Sequence, residues 1–76
     1  MPAHELTAFL NKLVQLSFRD GELIEALLLG VDEVRSRDLT YEVRKIVAFG
    51  TPRARGTSVG ATCVAALDDL RSWRGL

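Results

Sequence analysis

Phe18-Arg19-Asp20-Gly21-Glu22 is the stretch that decides the fold of this chain. Before it, Val14, Leu16 and Phe18 alternate with polar residues, which is the pattern of a strand with one buried face. The Asp-Gly pair supplies the positive backbone φ values that a type I′ hairpin turn requires. We therefore predict an antiparallel hairpin with strands over residues 12–18 and 22–31.

The second strand of this hairpin carries apolar residues on both faces. Ile24, Ala26 and Leu28 continue the first face, and leucines occupy the other. Such a strand is covered on both sides, either by a helix or by a neighbouring subunit. A helix over residues 22–34 is the alternative, because Leu and Glu favour helices. The Asp-Gly turn directly before it, together with an internal Gly30, favours the strand.

Working outward from the hairpin, the remaining patterns predict a mainly β chain. They predict an amphipathic helix over Pro2–Leu13, a third strand over Asp38–Phe49 whose apolar run 46–49 indicates a bulge or deeper burial, and a Gly/Pro loop over residues 50–60. After the loop they predict a fourth strand over Ala61–Leu67, a single helical or 3₁₀ turn capped by Asp68, and a last short strand or tail over Arg71–Leu76 that places Trp73 against the core. The predicted fold is a short N-terminal helix followed by a five-stranded, strongly bent antiparallel sheet, a small barrel in one domain over residues 1–76.

The size of the chain favours self-association. Ordering costs roughly 1.5 kcal/mol per residue, and apolar burial at about 25 cal/mol per Å² only just offsets it in 76 residues. Cys63 is the one cysteine and His4 the one histidine, so neither an internal disulfide nor a Cys/His metal site is expected. We expect Cys63 to be a core residue. Pairing of edge strands between copies is the remaining route to extra stability.

Charge and composition argue against several classes of function. Residues 1–34 hold two basic and six acidic residues, and residues 35–76 hold eight basic and four acidic ones. Neither a signal peptide nor a membrane span is expected, and the unpaired cysteine favours the cytoplasm. No set of side chains suggests an enzyme, a cofactor or a small-molecule substrate. The acids Glu22, Glu25, Asp32 and Glu33 are expected to form a solvated face.

The stretch from residue 18 to residue 36 resembles the first signature of the Sm/LSm family. The matching positions are Asp20-Gly21, Ala26, Leu28, Gly30-Val31-Asp32 and Ser36. The resemblance implies a five-stranded Sm-like barrel that assembles into a ring, with strand four of one subunit paired to strand five of the next. It also implies binding of uridine- or adenine-rich single-stranded RNA at the pore of the ring.

Two hypotheses for function follow. At the positions of the family's base pocket, this chain has Val34, Ser36 and Leu67-Asp68-Asp69 in place of a planar side chain, an asparagine and an Arg-Gly pair. The first hypothesis is therefore a non-enzymatic, Sm-like homo-oligomer whose ligand is unknown. The alternative is an RNA-binding module that uses the basic loop and a non-standard pocket, with Arg53, Arg55, Arg44, Lys45 and Ser36 as its contact residues. A solvated loop without a ligand is the other interpretation of those arginines.

Overall fold

A computed structural model of the chain describes residues 3–50 and 57–76, with side chains from residue 5 onward. One antiparallel sheet of order β4-β3-β2-β1-β5 contains the strands β1 (Leu13–Phe18), β2 (Leu23–Asp32), β3 (Asp38–Ala48), β4 (Thr62–Ala66) and β5 (Leu70–Gly75). A single turn of helix, α1 (Ala3–Leu6), precedes the sheet and continues as a 3₁₀ turn over Thr7–Phe9. A second 3₁₀ turn, Leu67–Asp69, joins β4 to β5 and is called the linking turn below. The prediction of a mainly β, five-stranded antiparallel sheet is confirmed.

The hairpin between β1 and β2 is confirmed, but its predicted turn type is wrong. Gly21 has a φ of 94°, whereas Asp20 does not have a positive φ. Phe18 N–H donates to Glu22 O at 2.8 Å, which encloses a three-residue loop with glycine in the left-handed position. Asp20 Oδ1 accepts the Glu22 N–H at 2.9 Å. Asp20 stabilises the turn through its side-chain carboxylate and keeps an ordinary φ, so in this turn Gly21 alone takes the left-handed conformation.

The N-terminal helix is shorter than predicted. The described part begins at Ala3, ends as a helix at Leu6, and leaves the predicted start at Pro2 outside the described residues. Asn11 then takes a φ of 64°, and its N–H donates to Leu28 O at 2.7 Å. Since this segment bonds to the backbone of β2, it cannot continue as a helix to residue 13.

The core lies on one face of the bent sheet. Its buried residues are Leu6, Val14, Leu16, Phe18, Ile24, Ala26, Leu28, Leu39, Tyr41, Val43, Cys63, Ala65 and Leu70. Trp73 packs against this core and meets the ring of Phe9 edge-on, with 5.0 Å between ring centroids. The predicted burial of Cys63 and the predicted position of Trp73 are confirmed. So is the bulge, because Leu23 pairs with Ala48 and Ile24 with Ile46, which leaves Val47 without an opposite residue.

The length of the linking turn requires the sheet to bend strongly. In a flat sheet, β4 and β5 would lie four strand spacings apart, about 19 Å at roughly 4.8 Å each. The four steps from Ala66 to Leu70 reach about 14 Å at most, and a 3₁₀ turn covers less. Among the described residues no ladder joins β4 to β5, so the sheet is bent but not closed.

No helical segment in the described part of the chain is long and apolar enough to cross a membrane.

Candidate functional site

The first feature that can act on a partner is the open edge of β4. Val43 N–H donates to Ala61 O at 2.9 Å, and Leu67 N–H donates to Arg37 O at 2.9 Å. In an antiparallel ladder the backbone groups of successive residues alternate in direction. The N–H and C=O groups of Thr62, Val64 and Ala66 therefore point away from β3, where no described strand pairs with them.

The β4 edge lacks the features that usually keep an exposed edge from pairing. Native edges carry lysines, prolines or bulges that discourage a second strand. The stretch 61–67 contains no charged residue and no proline, and the register of β4 on β3 is regular. The Val64 side chain is 57% exposed, and Thr62 and Ala66 are exposed on the same face. This edge is chemically ready to accept another strand.

The opposite edge of the sheet is β5, and it differs from β4. Leu76 N–H donates to Leu13 O at 3.1 Å, so alternation turns the backbone groups of Trp73 and Gly75 away from β1. Arg71 and Arg74 are exposed along this strand. The molecule thus presents an uncharged edge at one side and an arginine-bearing edge at the other.

The structure places the two described basic residues of the predicted RNA patch next to carboxylates. Arg44 Nε lies 2.7 Å from Glu42 Oε1 in a partly exposed ion pair. Lys45 lies directly across the β2–β3 ladder from Glu25, and Arg44 is the extra residue of a bulge at this point. Arg53 and Arg55 lie outside the described residues. Within the described part of the chain, the patch is a mixed-charge surface.

Ser36, the remaining predicted contact residue, belongs to a turn that Asp32 organises. Its hydroxyl donates to Asp32 Oδ2 at 3.0 Å, while the N–H groups of Val34 and Arg35 donate to Asp32 Oδ1 at 3.1 and 2.9 Å. The serine hydroxyl therefore has a structural partner, and Asp32 is a turn-forming residue rather than a simple member of a solvated face. At the tip of this turn the Val34 side chain is 89% exposed.

Acid should loosen the turn at residues 32–37. The Arg35 N–H above all, followed by the Ser36 hydroxyl, holds the pKa of the Asp32 carboxyl below its usual value of 3.8. A carboxyl whose pKa is lower in the folded chain stabilises the fold above the unfolded pKa, and that contribution disappears as the pH falls through the folded pKa. We expect an NMR titration of the Asp32 carboxyl to have its midpoint below 3.8. At lower pH we expect the Val34 and Arg35 amides to be less protected from hydrogen exchange, relative to the intrinsic exchange rate at the same pH. A midpoint at or above 3.8 would contradict the prediction, and Asp32→Asn provides the control that does not titrate.

The linking turn and the Asp32 turn meet at one end of the sheet. Arg37 O accepts the Leu67 N–H, and Arg37 Nη2 lies 3.7 Å from Asp68 Oδ1. The two turns that carry the positions predicted to match a base pocket thus lie at the same end of the sheet, and these positions hold an exposed valine, a serine and aspartates rather than a planar side chain. The prediction that Asp68 caps the turn is wrong, because Ala66 occupies the capping position and makes no side-chain bond.

Glu22 corrects another prediction. It was expected on a solvated face, yet it is only 1% exposed. Its Oε2 accepts the hydroxyl of Thr57 at 2.7 Å, across 35 residues of sequence. Burial of a carboxylate requires such partners, and here one partner comes from the far side of the β3–β4 connection, which sequence reasoning could not place. Glu22 therefore anchors that connection to the first hairpin.

The described residues contain no grouping of three or more His, Cys, Asp or Glu side chains that could hold a metal ion. Comparison with protein-family models, with curated proteins and with solved structures finds no match for this chain. Among the described residues, the open edges of β4 and β5 are the candidate site that the geometry of the chain supports best.

Proposed function

We propose that this chain is a non-enzymatic, Sm-like subunit that assembles with copies of itself through the open edges of its sheet. The observation that carries the proposal is the β4 edge, where three residues direct backbone N–H and C=O groups outward with no charge or proline to prevent pairing. Pairing with another strand would satisfy these groups and cover the exposed Val64 side chain.

The matching strand on a second copy is β5. The two strands have similar lengths, five residues in β4 and six in β5, and both have outward-directed backbone groups. The arginines of β5 disfavour pairing of β5 with itself, because like charges would face each other. A β4–β5 contact uses different surfaces on the two copies, so repeating it gives a closed ring or an open filament. The Sm-like resemblance favours the ring.

Light scattering at several protein concentrations tests the proposal. We expect a mass that is an integer multiple of the 8.4 kDa chain mass and is constant above micromolar concentration. A stable monomer at high micromolar concentration would overturn it. A mass that grows without limit would indicate the filament.

RNA binding remains the alternative prediction, and a titration distinguishes it. Short U-rich and A-rich RNAs would be titrated at two salt concentrations against the native chain and the variant Arg53→Ala with Arg55→Ala. Affinity that falls steeply with salt, and falls further in the variant, would support the alternative. Absence of binding at low salt would eliminate it and leave the assembly unaffected.

A further inference from the structure

We infer that Arg19 and Arg37 determine the number of subunits in the assembly, because they fix the angle between the β4 and β5 edges. This inference rests on the proposed function and deepens it. It concerns the linking turn, the only covalent connection between the two edges, which spans three residues at one end of the sheet.

Arg19 holds the linking turn to the first hairpin at two points. Its backbone N–H donates to Asp69 O at 2.9 Å, and its side-chain Nε donates to Asp68 O at 2.7 Å. Two bonds from one residue to successive carbonyls restrain both the position and the rotation of the turn. Asp69 directly precedes β5, so these bonds tie the start of β5 to the end of β1.

Arg37 holds the other end of the linking turn. Its carbonyl accepts the Leu67 N–H at 2.9 Å, where β4 ends, and its guanidinium lies 3.7 Å from the Asp68 carboxylate. Arg37 has a φ of 51°, a conformation that is uncommon for a residue other than glycine. The two arginines thus approach Asp68 from two different hairpins. Arg19 bonds to the backbone carbonyl of Asp68, and Arg37 faces the Asp68 carboxylate.

The number of subunits in a ring is sensitive to this angle. Identical subunits close into a ring when successive rotations complete a full turn, so six subunits need about 60° each and seven need about 51°. A change of about 9° between the two edges therefore separates neighbouring ring sizes. Four described contacts hold the three-residue turn: two backbone hydrogen bonds, the bond from Arg19 Nε and the exposed Arg37–Asp68 ion pair. Without the two side-chain contacts the turn keeps only its backbone bonds and restrains such a rotation less.

Native mass spectrometry of the variant Arg19→Ala with Arg37→Ala tests the inference. We expect one stoichiometry for the native chain and either several stoichiometries or a shifted one for the variant. Arg35→Ala is the matched control, because it removes an exposed arginine from the same turn region whose only described bond is made by its backbone N–H. The control should keep the native stoichiometry, and circular dichroism should show an intact sheet in all three proteins.

The outcomes distinguish this inference from the proposed function. A double variant with the same single stoichiometry as the native chain would overturn the inference and leave the assembly proposal standing. A native chain that is monomeric would remove both. If the double variant does not fold, Arg19→Lys gives the answer, because it keeps the charge but loses the planar guanidinium Nε donor. A native stoichiometry in Arg19→Lys would then overturn the inference.

Discussion

Val64→Pro is expected to abolish assembly and to leave a folded monomer. The N–H of Val64 points away from β3, so a proline at this position removes no hydrogen bond among the residues that the structure describes. The side chain is on the exposed face, and the core does not change. In an added strand, the missing donor and the proline ring together cost on the order of 3 kcal/mol per contact, which corresponds to about a 100-fold weaker association.

Val64→Thr is the control for this experiment. Threonine keeps the N–H, the β-branched shape and a high preference for strands, so we expect it to assemble like the native chain. Sedimentation velocity at one protein concentration compares the three proteins, and circular dichroism establishes that each is folded. If Val64→Pro assembles as strongly as Val64→Thr, β4 is not the contact surface.

Gly75→Ala is expected to destabilise the fold by about 1–3 kcal/mol, through a clash with one ring. A Cβ atom at residue 75 would overlap with Phe9 Cε1. The ring of Phe9 is also held by Trp73, 5.0 Å away between centroids, so its displacement weakens a second contact. In a domain of this size, such a loss lowers the Tm by roughly 4–24 °C.

A double-mutant cycle separates this clash from any general intolerance of β5. In the Phe9→Ala background the space above residue 75 is free, and alanine reduces the entropy of the unfolded chain relative to glycine. Gly75→Ala should therefore be neutral or slightly stabilising there. Urea unfolding at a fixed protein concentration measures all four proteins, since assembly makes stability depend on concentration. An equal loss in both backgrounds would contradict the assigned contact.

Much of the sheet could be predicted because its signals are local. The alternation of Val14, Leu16 and Phe18, followed by an Asp-Gly pair, identifies a hairpin within eight residues of sequence. The inward position of Cys63 also follows from a short pattern, whereas most of the predicted loop over residues 50–60 lies outside the described residues. Local patterning of this kind sets which face of each strand is buried, and the structure agrees.

The missed features depend on contacts that are distant in sequence. The burial of Glu22 requires the hydroxyl of Thr57, and the role of Gly75 requires a ring from the other end of the chain. The outward direction of the β4 backbone groups depends on the register with β3, which no local pattern in the sequence specifies.

The pairing of β1 with β5 has a consequence for how the chain folds during synthesis. Gln15 lies opposite Arg74, so the two partners are separated by most of the described chain. At about 5–20 residues per second, β1, β2 and β3 leave the ribosome seconds before β5 is available. Contacts of such long range also slow folding. During that interval the edge of β1 that later pairs with β5 has no partner strand. When two nascent chains are translated side by side on one messenger RNA, β1 of one chain can pair with β5 of the other.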